Sequence, residues 1–288
     1  MNGFVVLDKT TGITSRDAID RLRHVLPRKT KFGHTGTLDP LATGVLVVGI
    51  GQATRLADRV QAMGKSYSTT IRLGATADSN DADGRITEIL HAVDPGIDRI
   101  SACLEAMVGV IDQVPPQTSS VKVDGQRSYA LARKGRVSEL AARPVRIDAI
   151  RATAYDWPLL SLRIDCGKGT YIRSIARDLG ERLGCGGYVA TLRRERVGGF
   201  VPSMAIPATP SRAELERALV PMQVAVADLP TVTIVPEAAE FLCMGRTLPD
   251  DAFLGGEVAI LLHGELFALC ESIDGRLHPR TVLKRREE

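Results

Sequence analysis

Between Gly33 and Gly44 the chain packs three glycines, a histidine and an Asp-Pro pair into twelve residues, then runs straight into Val45-Leu46-Val47-Val48. Glycine permits sharp turns and close approach of a ligand to the backbone. Pro40 disfavours the α region at Asp39 and holds that residue extended. The apolar run suits a strand buried on both faces. Any fold that accepts this segment must bury the strand within a sheet and present the loop beside it. A carboxylate held on so rigid a platform suits catalysis. It suits equally a structural turn in which Asp39 caps nearby N–H groups, because Asp-Pro is common in turns. The spacing leaves both readings open.

The rest of the chain reads as mixed elements. Residues 4–7 form a short buried strand, and Thr14 with Asp17 is a capping-box pair ahead of the apolar stripe Ile19, Leu22 and Leu26, which Pro27 ends. Residues 29–44 read as loop. Residues 66–73 alternate, with Tyr67, Thr69, Ile71 and Leu73 on one face, as a strand with two environments requires. Residues 74–84 are polar and acidic, hence loop, and a helix is predicted over 100–108. A strand over 160–164 precedes a helix with the stripe Ile172, Ile175, Ala176, Leu179 and Leu183; a further helix is predicted near 214–219. From Asp228 onward, short apolar runs with tight Gly turns predict a small β-rich domain. With no regular βαβ rhythm, the fold class is α+β rather than doubly wound.

Composition narrows function by exclusion. Five scattered cysteines without a CxxC pair indicate neither a disulfide framework nor a thiolate zinc site. The first residues lack the basic leader and long apolar run of a signal peptide, and no run approaches a membrane span, so a reduced, cytoplasmic protein is expected. The Gly-rich loop lacks the GxxxxGK[ST] pattern of a phosphate loop, and no HExxH or deaminase signature occurs. With 37 Lys plus Arg against 34 Asp plus Glu the net charge is only +3, but the charges are segregated. Six basic residues fall within 16–31, seven within 122–146, and Arg193, Arg194 and Arg196 surround Glu195. Segregation of this kind can give a nearly neutral protein a positive face for a phosphate backbone. Each cluster alone is also compatible with a solvated surface.

Four blocks in order make the reading specific. The loop, continued to Val45-Leu46, follows GHxGxLDPxAxGxL; Lys65-Ser66-Tyr67 leads into Arg72-Leu73-Gly74 and then Asp81-Ala82-Asp83-Gly84; residues 166–180 read CGKGTYIRSIARDLG; and Leu192-Arg193-Arg194 precedes Gly198 and Phe200. Together they resemble the pseudouridine synthases, in particular the bacterial family that isomerises the uridine at position 55 in the T-arm of tRNA. That resemblance implies a mixed, largely antiparallel sheet core with flanking helices, a catalytic domain over 1–225, and a small PUA-like RNA-binding domain over 228–288. It also implies a thumb-like insertion over about 115–143, where Thr118 stands in place of the family's usual tyrosine, a departure expected to bear on substrate contact or loop packing.

By the same resemblance Asp39 is the essential aspartate, Arg173 pairs with it, and Tyr67 stacks on the target uracil. Tyr171 and Leu192 line the pocket. His34 handles the flipped nucleotide rather than a proton. Lys65, Lys122, Arg127, Arg133 and Arg193 are RNA-contact candidates. Read by residue type alone, Arg173 could be a solvated helix residue, although a cation early in a helix gains nothing from the dipole, and Tyr67 could pack within its strand face. An isomerisation involves no net redox change or hydrolysis, so no metal or organic cofactor is expected. The implied partner is the tRNA T-arm, with no membrane and no obligate protein partner, the enzyme acting as a monomer. Three rivals differ in class or target: a silent RNA-binding protein, an N-glycosidase, which generally needs two flanking carboxylates, and a synthase acting on ribosomal RNA.

Overall fold

The computed structural model describes residues 1–119, 122–123, 126–127, 140–207, 209–252 and 254–283. Its centre is a nine-stranded mixed sheet. From one edge the strands run Ala205–Ile206, Gly3–Lys9, Thr43–Ile50, Gly187–Val197, Lys65–Leu73, Leu159–Cys166, Arg143–Asp156 and Gly109–Gln113, and Phe32–His34 pairs on Thr43–Ile50. Two pairings are parallel, Gly3–Lys9 with Ala205–Ile206 and Thr43–Ile50 with Gly187–Val197; the others are antiparallel.

The strand after the Gly-rich loop is buried on both faces, as its apolar run requires. Leu46, Val48 and Ile50 enter one core with Val5 and Leu7, together with Ile71, Leu162 and the inner face of the helix Ile172–Leu183. Val45 and Val47 enter a second core with Phe4, Val6 and Phe200. That second core also takes Ala259, Leu266 and Leu269 from a separate five-stranded sheet, and Leu283 from just beyond its last strand in the chain. This sheet runs Thr231–Ile234, Gly256–Leu262, Glu265–Ile273, Arg276–Val282 and Leu248–Pro249. Arg59, in the helix Ala57–Ala62, reinforces the junction by donating to the Ala225 carbonyl at 2.9 Å and pairing with Asp228 at 2.7 Å. The α+β class and the β-rich C-terminal part therefore stand as expected from the sequence.

Several boundaries differ, each for a local reason. Thr14 caps the first helix with Asp17, but the helix spans only Ser15–Asp20 before tightening to a 3-10 turn at Arg21–His24. The helix predicted over 100–108 occupies Ile97–Glu105, because Gly96 precedes it and residues 106–108 turn into the edge strand. Residues 74–84 are not all loop: Ala75–Ala77 pairs with Ile86–Glu88, two strands too short to show alternation. Phe32–His34 is a strand within the segment read as loop. Within the thumb-like stretch Lys122–Val123 pairs with Gln126–Arg127, and residues 128–139 lie outside the described residues. No described helix is long and apolar enough to cross a membrane.

Candidate active site

The Gly-rich loop is held from below by the N-terminal segment. Lys9, at the end of its strand, is 2% exposed and donates from Nζ to the carbonyls of Thr10, Ile13 and Pro40 at 2.9, 2.8 and 3.2 Å. Ser15 takes both roles toward Leu38, donating to its carbonyl at 2.9 Å and accepting from its N–H at 2.8 Å. The Gly12 N–H reaches the Pro40 carbonyl at 2.9 Å, and Ala42 N–H closes a turn on Asp39 O at 3.1 Å. From the sheet side, Arg194 donates to Val45 O, Thr37 O and Gly36 O at 2.7, 3.4 and 3.1 Å. Gly44 has φ +97°, and a β-carbon there would meet the Arg194 carbonyl at 2.2 Å, so the close crossing of loop and strand requires glycine. Asp39 thus rides on a loop braced at Leu38 and Pro40 on its two sides.

The opposite wall comes from the helix Ile172–Leu183. Gly180 lets this helix press onto the start of the Gly187–Val197 strand, where a β-carbon would lie 2.2 Å from the Gly186 backbone. Its second residue, Arg173, is 4% exposed and reaches Asp39 with Nη2 to Oδ2 at 2.9 Å. Four more acceptors fix the guanidinium. Nη1 donates to Ser79 O at 3.1 Å and to Thr118 Oγ1 at 2.5 Å, Nη2 to Thr118 O at 3.1 Å, and Asp81 Oδ2 stands 3.4 Å from Nη1. The two carboxylates differ sharply. Asp39 is 36% exposed at its side chain, so a ligand can reach it, whereas Asp81 is 5% exposed. Burial pushes the Asp81 carboxyl above its usual range, against the lowering influence of the Ser79 hydroxyl and Arg173.

Tyr67, on Lys65–Leu73, is 8% exposed and shares a core with Leu38, Leu192 and Ile172. Burial raises its hydroxyl pKa, with Arg194 close enough to hydrogen-bond it and Asp39 close enough to influence it. Leu192 lies opposite Thr69, and Arg194 opposite Tyr67, on the neighbouring strand. Tyr171 stands at the N-terminal boundary of the Ile172–Leu183 helix, and Gln113 clamps its backbone, accepting from its N–H at 2.8 Å and donating to its carbonyl at 3.1 Å. Asp39, Tyr67, Arg173 and Leu192 are thus brought together by one loop, two adjacent strands and one helix start, and Tyr171 is tied to that helix start through its backbone. His34 is half-buried in the short strand that opens the loop, opposite Val48.

The RNA-contact candidates are placed less uniformly. Lys65 does not face outward: it is 9% exposed, its Nζ donates to Gln61 O and Met63 O at 2.5 and 2.7 Å, and burial lowers its pKa to about 8. The preceding helix Ala57–Ala62 ends against it and takes up its charge. Arg193 is engaged by Asp8 through two hydrogen bonds of 2.9 and 2.8 Å and lies 3.3 Å from Glu195. The backbones of Lys122 and Arg127 face each other in their hairpin; Arg133 lies outside the described residues.

Three site residues were not singled out from the sequence. Asp81 opens the block Asp81-Ala82-Asp83-Gly84, but that match carries no role for its side chain. Lys9 carries no signal beyond ending an apolar strand. Arg194 did carry one, because successive strand residues face opposite sides, so Arg193 and Arg194 cannot share one surface. The departure at Thr118 falls against Arg173, which donates to its hydroxyl and its carbonyl. No cluster of three or more His, Cys, Asp or Glu side chains disposed to hold a metal ion occurs among the described residues.

Comparison with known proteins bears on this constellation. Residues 23–172 match the family model described as TruB family pseudouridylate synthase (N terminal domain), and residues 173–227 match tRNA pseudouridylate synthase B C-terminal domain. The division at 172/173 falls at the start of the helix Ile172–Leu183, so the second match contains the Gly187–Val197 strand rather than the five-stranded sheet. Among curated proteins, tRNA pseudouridine synthase B from Mycobacterium sp. (strain KMS) is 41% identical over 287 residues, covering 98% of this chain and 95% of that protein. The protein of the same name from Synechococcus sp. (strain CC9311) is 39% identical over 293 residues, covering 99% and 98%. Among solved structures, a chain in the crystal structure of a Cbf5-Nop10-Gar1 complex superposes with a TM-score of 0.74 at 25% identity, covering 99% of this chain and 86% of that one.

Proposed function

The chain belongs to the TruB family of pseudouridylate synthases and is an isomerase acting on tRNA, and from that premise we propose that its target is the uridine at position 55 of the T-arm, with Asp39 as the group that works on the sugar. The observation that supports this role for Asp39 is its asymmetric setting: one side is ion-paired to a buried arginine at 2.9 Å and the other is open to a ligand.

The reaction must break the bond from C1′ to N1 of uracil, turn the base, and form a bond from C1′ to C5. In one route an Asp39 oxygen attacks C1′ and the N1–C1′ electron pair leaves with the base. The rotated base then returns through C5, displacing the carboxylate, and C5 loses its hydrogen to solvent. In the other, Asp39 takes the C2′ proton and a glycal forms before the base re-adds. Either route needs an ionised carboxylate, which a neighbouring guanidinium favours. Tyr67 and Leu192 offer the base a flat ring and an apolar wall, and His34 enters the RNA when the nucleotide is extruded. Lys122, Arg127 and Arg133 supply phosphate contacts from the thumb-like segment, and the sheet within 228–288 acts as a PUA-like RNA-binding domain. An N-glycosidase reading is disfavoured because Asp81, the other carboxylate paired with Arg173, is buried instead of flanking a substrate bond.

Tritium release from a T-arm stem-loop carrying 5-tritiated uridine tests the target. Release is expected from the natural loop and none from a loop in which only other uridines are labelled. Release confined to a different tRNA position would refute the site assignment while leaving the family membership untouched.

A further inference from the structure

The segment 113–118 is strapped to the first turns of the helix that carries Arg173. Gln113 clamps the Tyr171 backbone, and the Val114 carbonyl accepts from Ser174 Oγ at 2.8 Å and from Arg177 Nη2 at 3.0 Å. The strap ends at Thr118, which grips the guanidinium of Arg173 twice. Its Oγ1 takes a hydrogen from Nη1 at 2.5 Å and its carbonyl takes one from Nη2 at 3.1 Å. The next residue, Ser119, is 2% exposed, so the end of the strap is enclosed rather than loose on the surface.

A guanidinium carries two hydrogens on each terminal nitrogen. Those of Nη2 go to Asp39 and to the Thr118 carbonyl; those of Nη1 go to the Ser79 carbonyl and the Thr118 hydroxyl, and Asp81 stands further off at 3.4 Å. Thr118 therefore takes one hydrogen from each nitrogen and fixes the rotation of the plane, and with it the angle at which Nη2 meets Asp39. Without the hydroxyl, one Nη1 hydrogen is free to turn toward Asp81, drawing the guanidinium away from Asp39.

We propose that Thr118 is a positioning residue for the isomerisation, its hydroxyl setting the orientation of Arg173 against Asp39. The proposal rests on the role given above to Asp39, and its test separates the two. Thr118→Val keeps the side-chain shape without the hydroxyl, Thr118→Ala removes it with less bulk, and Thr118→Ser restores it. Single-turnover tritium release at saturating enzyme, the Kd for the stem-loop and the thermal midpoint are measured for each. Because hydrogen bonds to an ionised group are roughly twice as strong as neutral ones, the Val and Ala variants should turn over about tenfold more slowly. Their RNA affinity and midpoint should match the wild type, and Ser should recover most of the rate. Val and Ala rates within twofold of wild type, a loss confined to Kd, or a Ser variant as slow as Val would each overturn the proposal. Wild-type release from an Asp39→Asn protein run alongside them would instead overturn the reading of Asp39 on which it stands.

Discussion

Replacing Asp81 with Asn removes one negative charge from Arg173 and changes almost nothing else in shape. At 3.4 Å and an effective dielectric of about 20, the attraction between the two groups is about 5 kcal/mol. Opposing it is the burial of a carboxylate that is 5% exposed. Burial is the larger influence, since the Asp81 carboxyl titrates above its ordinary value despite the Ser79 hydroxyl and Arg173. An amide avoids that cost and still accepts from the Ser79 hydroxyl and the Asp83 N–H, as Asp81 Oδ1 does at 2.5 and 3.2 Å. Stability near neutral pH should thus change by less than about 1 kcal/mol. Catalysis should not be spared. With Asp81 neutral, Asp39 is the carboxylate left holding Arg173 among the described residues, and the pair tightens at the expense of the carboxylate's freedom to engage C1′ or C2′. If a quarter to a half of the lost attraction reappears in the barrier, the rate falls roughly 10- to 100-fold. A pH dependence follows with a definite sign. A carboxyl whose folded pKa is raised destabilises the fold above that pKa, and the cost disappears as pH falls toward the unfolded value. The wild type should therefore gain stability relative to Asp81→Asn on acidification. The assays are single-turnover tritium release and thermal unfolding from pH 4 to 7. A rate within twofold of wild type, or a rate loss matched by an equal loss of RNA binding, would refute the reasoning.

The braced loop makes further predictions. Gly44→Ala should abolish soluble protein or lower its stability by more than about 3 kcal/mol, because the new β-carbon meets the Arg194 carbonyl at 2.2 Å and φ is +97°; Gly33→Ala, with nothing within 4 Å of its β-carbon, should stay within about 1 kcal/mol in urea unfolding. Arg194→Gln should lower the thermal midpoint by about 5 °C and slow tritium release, since it strands the Gly36, Thr37 and Val45 carbonyls. Burial lowers the Lys9 pKa from 10.5 to about 8, so below pH 8 its ammonium weakens the fold and from 8 to 10.5 that penalty fades. Thermal midpoints of the wild type should consequently rise relative to Lys9→Met across that interval; a constant difference would contradict the assignment.

How much of this was legible in the sequence depended on whether the signal was local. The Val45 to Val48 run declared a strand buried on both faces, and Thr14 with Asp17 declared a capped helix. The strands Arg143–Asp156 and Gly187–Val197 were not anticipated. The first is the longest in the sheet at 14 residues; Val145 and Ile147 alternate with Arg146 and Asp148, but from Arg151 to Ala154 it is exposed on both faces and the pattern stops. The second hides Arg194 within the run Arg193-Arg194-Glu195-Arg196, and only strand geometry sends these residues to opposite sides. The candidate site followed the same rule. Its motif residues were visible in blocks of sequence, but Asp81, Lys9 and Thr118 gain their significance from burial and from contacts across 31 to 92 positions, which no spacing in the chain announces.

Asp39→Asn tests the central claim most directly. The substitution keeps the side-chain volume and an oxygen for Arg173, and it removes the exposed carboxylate that pairs with that arginine. The protein should fold with a thermal midpoint close to wild type and bind the T-arm stem-loop with similar affinity, while tritium release from 5-tritiated uridine falls to background. Release at a rate near the wild-type value from a folded Asp39→Asn protein would contradict the account.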